Sequence, residues 1–182
     1  MNPELTPIET ETDAALRLDT ALIGSGLFHV YSEVTGVLMQ PQVAQANESV
    51  HRCRINRVLI PARKLIDAGW DHGAVGIEIK SSEMSNDGKV LSQVLDYRRC
   101  AWTLPSQHGS VRVWLDWIFI FPMRKEHGSL ASLMAHNRFG TANSSQYVWL
   151  HLQCGEETVL RIGHDGEIRI GRNHSGRKVG SR

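Results

Sequence analysis

A chain of 182 residues, 41% apolar and 21% charged with a formal net charge of +1, has the make-up of one soluble globular domain with a real core. No apolar run approaches the ~18 residues that span a bilayer, and the longest, VWLDWIFIF, carries Asp116. Three widely spaced cysteines argue against a disulfide framework or a thiolate zinc site, and the nine scattered histidines lack the spacing of a helical metal site.

The acidic opening MNPELTPIETETD lacks the basic-then-apolar order of a signal peptide. The chain is therefore expected in the cytoplasm. Residues 1–12 read as a flexible arm, 13–171 as a single domain and 172–182 as a basic flexible tail. The tail, GRNHSGRKVGSR, suits a polyanionic partner.

Ala15, Leu18 and Leu22 recur at helical spacing, with Thr12 or Asp13 as a cap and Gly24 and Gly26 as a stop, which predicts a helix at about 13–23. FHVYSEVTGVLMQ is rich in β-branched and aromatic residues and predicts a strand. VHRCRINRVLIP predicts a second, with its apolar parity shifting near Arg57. ARKLIDAGW gives a short helical turn, and AVGIEIKSS a third strand with Ile77 and Ile79 on one face and Glu78 and Lys80 on the other. KVLSQVLDYRRCAW keeps apolar residues at helical spacing through Trp102, which predicts a long helix. SVRVWLDWIFIFP reads as one central strand buried on both faces. A helix at about 128–138 and strands near 146–153, 157–162 and 167–171 follow, the last two joined by the turn signal HDGE. The five tryptophans are expected in the core. The order predicts an α/β fold: a mixed sheet flanked by helices, with a small C-terminal β extension.

The chemistry centres on Glu78-Ile79-Lys80. Metal-assisted phosphodiester hydrolysis needs hard oxygen ligands, a charge-stabilising group and an oriented water. Side chains two apart on a strand point the same way, so Glu78 can hold an ion beside the Ile79 carbonyl while Lys80 neutralises developing charge. Alone, so short a match is also ordinary for a half-exposed strand with a same-face ion pair. Two neighbours add weight. Asn56, on the preceding strand, stands where a second ligand is expected, and Gln93 and Tyr97 share one face of the following helix at i,i+4.

With these motifs, residues 50–122 resemble the core of the PD-(D/E)xK nuclease superfamily, the restriction-endonuclease-like fold, in its resolvase and RecB-like branches. The (Asp/Glu)-x-Lys of that group resembles Glu78-Ile79-Lys80, and the Gln-x-x-x-Tyr of some branches resembles Gln93 and Tyr97. The resemblance implies a DNA nuclease using Mg²⁺ or Mn²⁺. Glu78, Asn56 and Ile79 would be at the metal, Lys80 would be catalytic and Gln93 would orient substrate or water. Arg54, Arg57, Tyr97, Arg98 and Arg99 are the residues expected to meet nucleic acid. Many duplex-cutting relatives act as dimers, so a homodimer is one assembly that the resemblance allows.

The chain departs from that pattern at Asn56, where the family carries an acid. An asparagine offers a carbonyl oxygen but no charge. Three readings stand: an engineered Asp-to-Asn silencing, a natural non-catalytic relative that binds DNA without cutting, or substitution by another acid. For the last, Glu33 ranks above Asp71, and Glu33 joins the candidate catalytic set. An unrelated α/β interaction domain, in which GIEIK is only a strand, is the remaining alternative.

Overall fold

The computed structural model describes residues 9–39, 51–81, 87–122 and 137–171. A ten-stranded mixed sheet carries a helix on each face. The chain runs α1 (Glu11–Ser25), β1 (Phe28–Leu38), β2 (Arg52–Pro61), α2 (Arg63–Asp67), β3 (Ala74–Ile79) and α3 (Asp87–Arg98). It continues through β4 (Cys100–Ser106), β5 (Gly109–Val113), β6 (Leu115–Phe121), β7 (Phe139–Ser145), β8 (Val148–Cys154), β9 (Glu157–Gly163) and β10 (Ile168–Ile170). In space the strands lie β10-β9-β8-β7-β6-β3-β2-β1-β4-β5. The β3–β6 and β6–β7 pairs are parallel and the others antiparallel.

Thr10 caps α1 by accepting the Asp13 N–H, and Gly26 ends it at φ 61°, where a Cβ would be strained. Ala14, Leu18 and Leu22 then face one side of the sheet, with Leu59, Val75, Ile77, Ile79 and Phe119 beneath them. Val90, Val94 and Tyr97 of α3 cover the other side, over Val34, Cys53, Ile55, Val58, Trp102 and Ile118. β3 is buried along its whole length, because it pairs on both edges and is covered on both faces.

Three expectations are corrected. The long helix stops at Arg98, and Cys100–Ser106 is a strand holding Ala101 and Trp102. The helical spacing runs on by coincidence, while pairing to β1 and β5 decides the local structure. The supposed single strand after Gly109 is two, broken at Trp114, which is 59% exposed and so lies outside the core. β5 turns back on β4 while β6 becomes the central strand. The C-terminal strands are also no small extension: β7 joins β6 in parallel and carries β8–β10 into the same sheet. β7 itself has no counterpart among the strands the sequence predicts. The helix expected at about 128–138 falls largely outside the described residues, and Asn137 and Arg138 form a turn. The HDGE turn does join two antiparallel strands, β9 and β10.

Candidate functional site

β2 and β3 pair over only three positions, Arg57↔Ile77, Val58↔Gly76 and Leu59↔Val75. Beyond them β2 stays with β1 as far as Arg52, and β3 stays with β6 as far as Ile79. The sheet therefore forks at Asn56 and Glu78, the next residues in register.

Glu78 and Lys80 share the α3 face, as the strand period requires. Lys80 Nζ donates to Glu78 Oε1 at 2.6 Å, and Gln93 Nε2 donates to the same oxygen at 2.9 Å. The Tyr97 hydroxyl accepts from Gln93, donates to the Arg54 carbonyl oxygen at 2.5 Å and lies 3.2 Å from Glu78 Oε2. Glu78, Lys80 and Tyr97 are all buried, so the half-exposed ion pair is not what forms. Burial pushes the Glu78 carboxyl above the ordinary glutamate range, and Lys80, Tyr97 and Gln93 pull it part-way back. Burial and the Glu78 charge push the Tyr97 phenol well up, so it stays protonated.

Asn56 belongs to a second group. Its Oδ1 accepts the Ile79 N–H at 2.8 Å, and its Nδ2 donates to Glu33 Oε1 at 3.3 Å. The carboxamide thus clips the two arms of the fork together, replacing a ladder bond that the diverging strands no longer make. Glu33 sits opposite Asn56 in the β1–β2 register at φ 51°, a left-handed conformation uncommon outside glycine. Alternation inverts there on both strands. Tyr31 and Val34 both pack toward α3, as do Ile55 and Val58, although neither pair has the even spacing a regular strand requires. The parity shift in the sequence near Arg57 is this inversion.

Glu33 is held by cations. Arg54 Nε lies 3.2 Å from its Oε2, and one Arg57 nitrogen lies 3.7 Å from Oε1. Arg57 is buried and turned toward α1, where it grips Asp19 through two bonds of 2.8 and 2.7 Å. That pairing raises the Arg57 pKa. Asp19 carries no signal in the sequence pattern, because only the docking of α1 brings it to the fork. Asp71 lies ahead of β3, beside His72 and at the far end of that strand from Glu78, so Glu33 is the acid that adjoins the site.

Of the residues expected to meet nucleic acid, Tyr97 and Arg57 are buried on internal partners. Arg98 is committed to the carbonyl oxygens of Leu115 and Asp116 at 3.0 and 2.8 Å. Arg54 and Arg99 are exposed.

Among the described residues no three His, Cys, Asp or Glu side chains gather as a metal site. The donor set at the fork falls short for Mg²⁺, which is held by carboxylates and water. It offers the Glu78 carboxylate, already occupied by Lys80 and Gln93, an Asn56 oxygen already taken by Ile79, and a Glu33 carboxylate already facing Asn56, Arg54 and Arg57. What the site can do as it stands is present an ammonium, an amide and a carboxylate at one opening of the sheet. No described helix is long and apolar enough to cross a membrane. No protein-family model, no curated protein and no solved structure matches this chain.

Proposed function

We propose that this chain is a DNA-processing protein built as a deoxyribonuclease of the PD-(D/E)xK type, with its phosphodiester-cleaving site attenuated at Asn56. The observation that carries the reading is the convergence of Glu78, Lys80, Gln93 and Tyr97 in one hydrogen-bonded cluster where β2 and β3 part. A strand-borne Glu-x-Lys followed by a helix-borne Gln-x-x-x-Tyr resembles the arrangement in some branches of that superfamily. The order α1, β1, β2, β3, α3, β6, with one helix on each face, supports the restriction-endonuclease-like fold for the central part of the larger sheet.

In this reading Lys80 stabilises negative charge as it develops on a scissile phosphate, and Gln93 fixes the Glu78 carboxylate in place. Mg²⁺ or Mn²⁺ is the ion such chemistry uses, and an acid at position 56 would complete its ligand set.

A second reading, a non-catalytic DNA-binding protein on the same scaffold, draws on one observation. Both ends of the Asn56 carboxamide are satisfied, as befits a structural residue. One experiment separates the two. The chain and its Asn56→Asp variant are incubated with single-stranded, duplex and branched DNA plus Mg²⁺. Cutting by the variant that is lost on adding Lys80→Ala sustains the nuclease scaffold. Salt-sensitive binding without cutting in both forms favours the second reading, and neither cutting nor binding sinks both.

A further inference from the structure

β4 pairs with β1 only over Gly36–Leu38 and then peels away to pair with β5. The stretch of β1 before Gly36 consequently has no strand on that edge among the described residues. A groove of about 620 Å³ opens along it, lined by Glu33, Thr35, Val37, Arg52, Thr103 and Pro105 among others.

The face beside this groove can be read from the pairing. Cys53, Trp102 and Leu104 point into the α3-side core, and a Cβ on Gly36 would strike the Trp102 ring. The intervening residues point the other way. Thr35 lies across from Arg54, Val37 from Arg52, and Thr103 from Arg112. Arg52, Arg54, Thr35, Thr103 and Arg112 are all exposed. Arginines thus stand on the outer strands of this corner, with hydroxyl-bearing threonines between them.

The charge is unbalanced. Among the described residues Glu33 is the one acid lining the groove, and Arg54 and Arg57 already face it. Neither Arg52 nor Arg112 is in an ion pair among the described residues. Where β1 and β4 still pair, adjacent-strand spacings of ~4.8 Å put β2 and β5 roughly 14 Å apart, and the gap widens as β4 peels away, so the two flanks can hold phosphates on either side of one strand.

We infer that this groove binds the sugar–phosphate backbone of a single-stranded nucleic acid beside Glu33, on the face of the sheet opposite Glu78 and Lys80. The inference rests on the nucleic-acid reading above and adds where and in what form the substrate is held. A groove of this size is that of a small-ligand pocket; it takes a few linked nucleotides of one strand and not the body of a duplex. Arginine provides the planar, bidentate donors that phosphate favours.

The test is an anisotropy titration of a short fluorescent oligothymidylate, in EDTA so that nothing is cut. The full chain is compared with Arg52→Glu/Arg112→Glu. The double variant is expected to lose about ten-fold or more in affinity and roughly two from the salt slope. Arg52→Gln/Arg112→Gln, which keeps the strand surface intact, should fall between. Arg161→Glu/Arg169→Glu, at the other end of the sheet, should bind like the parent. Equal affinity in the parent and the Arg52/Arg112 charge reversal overturns this surface and leaves the nuclease reading standing. So does more ready displacement of the probe by duplex than by unlabelled single strand. No binding by the parent removes both.

Discussion

Asn56 and Ile79 are joined across the fork: the Asn56 Oδ1 accepts the Ile79 N–H at 2.8 Å while its Nδ2 faces Glu33 at 3.3 Å. The amide suits both neighbours, giving an acceptor to a peptide N–H and a donor to a carboxylate. A carboxylate at this position keeps the first bond and turns the second into like-charge repulsion.

Asn56→Asp is therefore expected to lower stability by about 1–2 kcal/mol in EDTA, the scale of a lost charge-assisted bond. On the nuclease reading proposed above, millimolar Mg²⁺ should restore it, because the added acid would complete a cation site beside Glu78. Thermal unfolding of both proteins with and without Mg²⁺ checks this. A variant indifferent to Mg²⁺ would show that the introduced acid cannot converge on an ion with Glu33 and Glu78.

Lys80→Ala strands a buried carboxylate. Removing one partner of a buried pair costs roughly 3–5 kcal/mol, and Glu78 and Lys80 are both buried. Glu78→Gln/Lys80→Met, which removes both charges, should cost much less than the sum of the single changes. A double-mutant cycle by urea unfolding reads the coupling; additive losses would mean that the 2.6 Å contact contributes nothing.

Much of this arrangement was legible in the sequence, and for definite reasons. GIEIK alternates strictly, so the shared face of Glu78 and Lys80 follows from the strand period. Gln93 and Tyr97 lie one helical turn apart, so their common face follows as well. Legibility ended where long-range pairing takes over. Ala101 and Trp102 continue the helical spacing of Val94, and only their place beside β1 and β5 makes them a strand. The Asp19–Arg57 pair depends on how α1 lies across the sheet, which no local pattern carries.

The raised pKa of Glu78 carries a pH signature. Its folded value lies above the 4.5 of an unperturbed glutamate, so the folded state holds that proton more tightly than the unfolded chain. The contribution to stability is full below 4.5 and declines as pH rises through the folded value. Compared with Glu78→Gln, the parent should lose ground over that interval in urea titrations. A flat difference would remove the desolvation argument.

Arg57→Lys should destabilise by about 1–2 kcal/mol, the upper part discounted because Asp19 is partly exposed. A lysine cannot make the paired bonds of 2.8 and 2.7 Å to Asp19 while also donating to the Asn56 carbonyl oxygen. Amide exchange should quicken most around Asn56 and Ile79 if the guanidinium braces the fork; a uniform increase would mean only global loosening.

The inversion of alternation at Glu33 and Asn56 also has a bearing on how such a site can change over time. The apolar residues flanking these two positions, Tyr31 and Val34 on one strand and Ile55 and Val58 on the other, pack into the same α3-side core, and the two positions themselves belong to neither core. Polar exchanges at 33 or 56 can therefore alter charge and ligand chemistry without forcing either core to repack. Glu33 and Asn56 thus stand where the strand pattern breaks, and side-chain chemistry there can drift independently of the architecture around it.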